Sequence, residues 1–200
     1  WDKFITFGTR YMAKLTKAQK AQKMGFLDSA GAIYTAMINQ GTKKYYENNG
    51  TAAGKLIYST NPTIKNAYNM TVKALKAGIG TRVAQFSSDW TVGMQKGKYA
   101  MMLAPAWMMD YIKQQASSTS GKWDLADVPG GGGNQGGTQL TIPTSGSIAN
   151  RQAAYDFLTW YVAPAQQKYT FLNYGMFPTA VSLYKDADVT GFKDPFFNNA

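Results

Sequence analysis

The chain has no cysteine and no histidine. Lacking cysteine, it has no disulfides, no thiolate metal ligands and no thiol nucleophile. Lacking histidine, it has neither the commonest metal ligand nor the commonest general base. Glutamate occurs once, at Glu47, and the ten aspartates are scattered, with DADVTGFKD near the end the densest group. This composition argues against an enzyme and offers no metal or cofactor site. Arginine is also scarce, at Arg10, Arg82 and Arg151, so the formal charge of +10 is carried mostly by lysine. Nucleic-acid readers lean on arginine forks, and lysines spaced along helix faces read instead as a solvated surface. One denser group, Lys14, Lys17, Lys20 and Lys23, recurs every three residues. As a basic stripe it is the feature a polyanion or an anionic cell surface would use. No apolar run reaches the length of a bilayer span. No signal peptide opens the chain; it begins on Trp1-Asp2-Lys3-Phe4, inside a helix-like pattern, as a fragment or a processed chain would.

What is present is a globular composition. Apolar residues make up 44% and aromatic residues 14% of 200 residues, enough for one domain with a sizeable core or one large lobe of a bigger protein. Residues 2–15 carry Phe4, Phe7 or Gly8, Tyr11 and Leu15 at helical spacing, and KAQKAQK continues as helix or fraying turn. MGFLD reads as a short strand, with Asp28 or Ser29 capping a helix that runs to about Gln40. Residues 43–55 read as a hairpin turning at Asn48-Asn49-Gly50. Asn61-Pro62 opens a helix as cap and first residue, and that helix ends at Gly78. Ser88 is the expected cap of the next, which finishes at Gly97.

Residues 97–107, GKYAMMLAPAW, are the centre of the reading. Gly97 stands where a left-handed residue closes a helix, and Tyr99 to Leu103 form an apolar run of strand length. Pro105 is expected at the first position of a helix, which places Trp107 in that helix's first turn, beyond a strand's carboxyl end. Ligands of open α/β sheets collect at that edge. Trp107 reads either as core or as a flat platform for an apolar ring face. WDLADV at 123–128 alternates as a half-buried strand. PGGGGNQGG then holds six glycines in nine residues, including a formal G-x-G-x-x-G from Gly131 to Gly136. A dinucleotide site needs a helix next; Thr138-Gln139-Leu140-Thr141-Ile142 is a strand pattern, so that reading fails. The glycines are either a flexible turn or backbone brought close to a ligand. AAYDFLTWYV follows as an aromatic-rich helix with Ala154, Phe157 or Leu158 and Tyr161 inward, and Pro164 restarts a second helix closed by Gly175.

The order of these parts resembles the extracellular solute-binding proteins of ABC transporters, the carbohydrate-binding family that includes maltose-binding protein. The likeness is carried by the opening Trp1-Asp2-Lys3-Phe4, by GKYAMMLAPAW, by WDLADVPGG, by Asn150-Arg151-Gln152-Ala153-Ala154-Tyr155-Asp156-Phe157-Leu158, and by Gly175-Met176-Phe177-Pro178-Thr179. It implies an α/β fold of the periplasmic-binding-protein type II kind: mainly one lobe, a sheet flanked by helices, plus helices of the other lobe. Residues 1–139 would be most of the second lobe, 140–185 a hinge strand and first-lobe helices, and 186–200 a segment returning to the second lobe. The resemblance further implies a sugar or oligosaccharide held in an inter-lobe cleft, with Trp107 as stacking platform, Asp28 and Tyr34 as ligand contacts, and Gly136 and Gly137 bringing backbone to the cleft wall. Permease subunits would be partners, the location extracellular, as a membrane-anchored lipoprotein or periplasmic, and no nucleic acid would bind. Three expectations follow. The strand containing Met101 is central and buried. Leu158, Trp160, Phe171 and Tyr174 expose apolar surface, through which a homodimer forms. Trp107 is a platform. The competing readings are a glycoside-acting enzyme using Asp28 and Asp110 and a basic polyanion-binding domain.

Overall fold

In the computed structural model residues 1–48 and 51–198 are described. They divide into two units, one of Trp1–Ala104, Gln115–Thr119 and Ala126–Gln135, the other of Pro105–Gln114, Ser120–Leu125 and the chain from Gly136 onward.

In the first unit the amphipathic pattern of residues 2–14 forms helix α1 (Asp2–Lys14), with Asp2 in its first turn and Lys14 in its last, both favourable to the helix dipole. Gly8 is where α1 meets the core, since a Cβ there would stand 2.5 Å from the Phe26 ring. The helix does not run on through Lys23. Leu15 turns extended, and Thr16 starts a separate helix α2 (Lys17–Ala21) through a reciprocal capping box with Gln19. The lysine stripe is therefore broken: Lys14 ends α1, Lys17 and Lys20 lie on α2, and Lys23 follows in a left-handed turn.

Strand β1 (Gly25–Leu27) is buried at every position. It pairs in parallel with strand β4 (Tyr99–Met101), Gly25 opposite Tyr99 and Leu27 opposite Met101, while Leu27 also bridges Gly80. The expectation for Met101 is thus reversed. β1 is the inner strand, and β4 has a strand partner on one side only among the described residues, leaving Met101 36% exposed. Helix α3 (Gly31–Gln40) begins at Ala30 with no side-chain cap, because Asp28 is engaged elsewhere. Strands β2 (Tyr46–Glu47) and β3 (Lys55–Leu56) form the hairpin, Tyr46 opposite Leu56; Asn49 and Gly50 of its expected turn lie outside the described residues.

Helix α4 (Pro62–Lys76) starts as read, with Asn61 Oδ1 accepting from the Thr63 amide at 2.9 Å and Pro62 first in the helix. It packs on α3 and buries Ala67 and Ala74 completely. Helix α5 (Ser88–Gln95) is capped one residue early, by Ser87, whose Oγ accepts from the Trp90 amide. Its exit is at Gly97, left-handed at φ +60. The core of the unit gathers Ile5, Phe26, Leu27, Ile33, Met37, Ile38 and Ile79. Each of the large ones contributes about 1.5–3 kcal/mol by burial.

In the second unit, helix α6 (Met108–Gln115) starts three residues after Pro105, so Pro105 is not its first residue and Trp107 lies in the preceding turn. Helix α7 (Ile148–Tyr161) is capped by Ser147, whose Oγ accepts from the Asn150 amide. Helix α8 (Pro164–Tyr174) ends on left-handed Gly175, and a short helix α9 (Ala187–Thr190) follows a 3-10 turn at Val181–Lys185. Phe171 is the correction among the expected exposed residues. It is 6% exposed, edge-on to Phe177 at 5.3 Å and Phe192 at 5.2 Å, so aromatic neighbours cover it. Leu158 is half-buried, while Trp160 and Tyr174 are exposed. No residue of α7 is buried; of those expected inward, Ala154 and Leu158, the alternative to Phe157, are half-buried, while Phe157 and Tyr161 are exposed.

Two expected strands do not form. In WDLADV only Trp123 pairs, in a single bridge to Phe197, because the chain passes from one unit to the other between Leu125 and Ala126. Residues 138–142 have no regular structure, and Leu140 is exposed. A β-branched pattern becomes a strand only where a neighbouring strand satisfies its backbone.

Candidate ligand-binding site

Trp107 sits in a turn fastened to the head of α6, where the amide of Met108 donates to the Pro105 carbonyl at 2.9 Å and that of Met109 to Ala106 at 3.2 Å. Met108 and Ile112 are buried and hold the helix, while the Trp107 side of the turn is 41% exposed. Gly136 lies against the indole: a Cβ at Gly136 would stand 3.0 Å from Trp107 Nε1. Its φ of +84, and the +114 of Gly137, also belong to glycine. The structure thus brings together Trp107 and Gly136, two of the residues singled out from the sequence, as a part-exposed aromatic face beside bare backbone. Such a face can stack on an apolar ring while the peptide groups beside it serve polar substituents.

Asp28 and Tyr34 belong to the other unit. Asp28 is fully enclosed. Its Oδ2 accepts from Trp90 Nε1 at 2.8 Å and from Gln85 Nε2 at 3.0 Å, and the Thr81 hydroxyl donates to its carbonyl. Burial pushes the carboxyl above the usual aspartate value, against the opposing pull of the Gln85 and Trp90 hydrogen bonds. Burial, then the nearby charges of Asp28 and Asp89, push the Tyr99 phenol up as well. The Asp28 carboxylate therefore orients Trp90 and Gln85 and has no open face for a ligand. Tyr34 is half-buried, and its oxygen accepts from the Tyr45 hydroxyl at 3.3 Å. That bond, followed by burial, pushes the Tyr34 phenol up to about 12.

The glycine run has a second anchor that the sequence did not disclose. Gln40, expected only as the end of a helix, donates through Nε2 to the carbonyls of Pro129 at 2.7 Å and Gly131 at 2.6 Å. Its Oε1 accepts from Trp1 Nε1 at 3.3 Å. Gly133 packs so near α3 that a Cβ there would stand 2.7 Å from the Asn39 carbonyl oxygen. An open groove of about 450 Å³ beside this clamp is lined by Trp1, Gln40, Thr63 and Asn66 among others, and includes none of the five expected ligand residues. A glutamine at the end of a helix is the only local hint such a clamp leaves.

The glycosidase pair finds no support. Asp28 is sealed, and Asp110 accepts from Gln114 at 2.6 Å with the Lys113 ammonium 4.0 Å away. Among the described residues no three acidic side chains gather to hold a metal, and no helix is long and apolar enough to cross a membrane.

Parallel strands flanked by helices place the first unit among α/β folds. A crystal structure titled extracellular solute-binding protein family 1 matches with a TM-score of 0.81 and 34% identity, covering 100% of this chain and 48% of that one. No curated protein matches the chain. The family model for bacterial extracellular solute-binding proteins matches residues 1–197, and the chain belongs to that family. The fold class and the extracellular setting expected from the sequence are those of the family. The chain spans about half the length of the solved structure that it matches.

Proposed function

We propose that this chain carries ligand-binding surface of the substrate-binding component of an ABC importer, and that the ligand is a sugar or oligosaccharide stacked on Trp107. The observation that carries the reading is the half-exposed indole held beside Gly136 at the head of α6. Pyranose rings present apolar C–H faces that suit an indole, and hydroxyls that suit peptide groups such as those of Gly136 and Gly137. Tyr34 is the hydroxyl contact proposed from the first unit. Asp28 contributes by holding Trp90 and Gln85. In this reading the protein delivers the ligand to permease subunits, is anchored outside the membrane as a lipoprotein or held in a periplasm, and performs no chemistry on the sugar. The division into lobe segments at residues 139 and 185 belongs to the same reading, as does a homodimer. The exposed aromatics of α7 support the homodimer, since monomers seldom leave such a patch open.

The test is calorimetry of the chain, and of the longer protein where it continues, against glucose, maltose, maltotriose, cellobiose and xylobiose, repeated for Trp107→Ala and Gly136→Ala. The reading expects at least one saccharide to bind, with affinity falling about tenfold or more in Trp107→Ala. Gly136→Ala should weaken binding too, by displacing the indole. Equal affinity in wild type and Trp107→Ala would remove Trp107 from the site.

A further inference from the structure

We propose that Lys113 and Asp194 form a lock that positions the Trp107 platform, so that the carboxyl-terminal stretch of the second unit sets the ligand surface. The proposal rests on the reading of Trp107 as the platform, but its geometry is independent of any ligand. Trp107 lies in the turn that the Met108 and Met109 amides fasten to the start of α6, and Lys113 stands on α6 about 1.7 turns beyond it, so a shift of the helix carries that turn with it.

The Lys113 ammonium donates to Asp194 Oδ2 at 2.8 Å, and the Asp194 side chain is only 8% exposed. The other Asp194 oxygen accepts from the Phe196 amide at 3.0 Å, and the Phe197 amide donates to the Asp194 carbonyl at 3.2 Å. The carboxylate is therefore fixed by its own turn before Lys113 reaches it. Phe196 and Phe197 are buried, which anchors that turn in turn. Gly175 closes the arrangement from the end of α8. A Cβ there would stand 3.1 Å from Lys113 Nζ and 3.9 Å from Asp110 Cβ, so the lysine passes directly over a residue that has no side chain.

An ion pair this shielded differs from a surface pair. Its acceptor is preorganised, and its loss strands a carboxylate with little solvent. Sequence spacing carries no sign of it, because the partners lie 81 positions apart.

The experiment follows the Trp107 indole N–H resonance in 15N-labelled protein, assigned by its loss in Trp107→Phe. Lys113→Met is expected to shift or broaden that signal while leaving those of Trp1 and Trp90 in place. Lys113→Arg, which keeps the cation, should restore most of the wild-type position. Asp194→Asn keeps an acceptor for the Phe196 amide and so guards against simple unfolding of the turn; it should move the Trp107 signal in the same direction, and the double variant should move it no further. For a saccharide bound by the wild type, Lys113→Met should lower affinity about tenfold, the scale of one charged hydrogen bond. An unmoved Trp107 signal in a folded Lys113→Met protein overturns the lock and leaves the platform reading standing. A moved signal with saccharide affinity insensitive to Trp107→Ala upholds the lock and overturns the platform reading.

Discussion

Helices α4 and α7 are nearly the same length and are started by the same device, a polar side chain accepting from a backbone amide two or three residues on. Their fates differ. α4 lies on α3 and buries Ala67 and Ala74 completely, with its lysines and asparagines turned out. α7 carries Tyr155, Phe157, Trp160 and Tyr161, and buries none of them. The cap chooses where a helix starts; whether its apolar residues stabilise anything depends on a surface to bury them against. α4 finds such a surface on α3; α7 meets α8 and still leaves its large aromatics exposed.

The largest effect that sharpens this contrast is in cavity formation. Ile33→Ala, beneath α4, should cost about 2–5 kcal/mol in urea unfolding, whereas Phe157→Ala on α7 should stay within about 0.5 kcal/mol in the monomer. A comparable cost for Phe157→Ala in protein that size-exclusion chromatography shows to be monomeric would break the comparison; the same cost in a dimer would show the proposed homodimer covering α7.

The second contrast is in pH dependence. Asp28, in the first unit, has its carboxyl raised by burial, so its ionisation is less favourable folded than unfolded. Its contribution to stability is full below the ordinary aspartate value and falls as pH climbs from there to the raised value, by about 1.4 kcal/mol for each unit between the two. Asp186, in the second unit, is lowered first by its hydrogen bond from Lys168, so its contribution holds above the ordinary value and is lost as pH falls through the lowered one. Urea midpoints between pH 3 and 7 should therefore show Asp28→Asn flattening the upper part of the profile and Asp186→Asn the lower. The same direction of change in both variants would contradict the assignment.

A third contrast, of a size with the first, separates two indoles. Trp90 is enclosed and bonded to Asp28, and Trp107 is half-exposed. Trp90→Ala should unfold the first unit or cost about 3–5 kcal/mol, while Trp107→Ala should cost well under that and act on ligand affinity instead. Smallest of all, Lys43→Ala removes an exposed pair with Glu47 and should change stability by about 0–1 kcal/mol in a thermal melt.

Some helix boundaries were legible because their signals are local: Asn61-Pro62 at a start, and left-handed Gly97 and Gly175 at exits, appear where the residues place them. Strands were legible only where a partner existed, so FL at 26–27 was found and 138–142 was overread. Trp107 and Gly136 were legible as neighbours of a turn and of a glycine run. The depth of Asp28, the Gln40 clamp and the Lys113 lock were not, since each depends on a residue distant in sequence that no local pattern names.

The parallel pairing of Gly25 with Tyr99 also sets a timetable for the nascent chain. β1 emerges early, yet its strand partner β4 is made only after α3, the hairpin, α4 and α5 have all been synthesised. Until then a wholly apolar strand edge stays open, and a parallel pair cannot close locally as a hairpin does. The sheet is therefore set only after the 71 residues from Asp28 to Lys98 have been made, so β1 waits unpaired through the whole of that stretch.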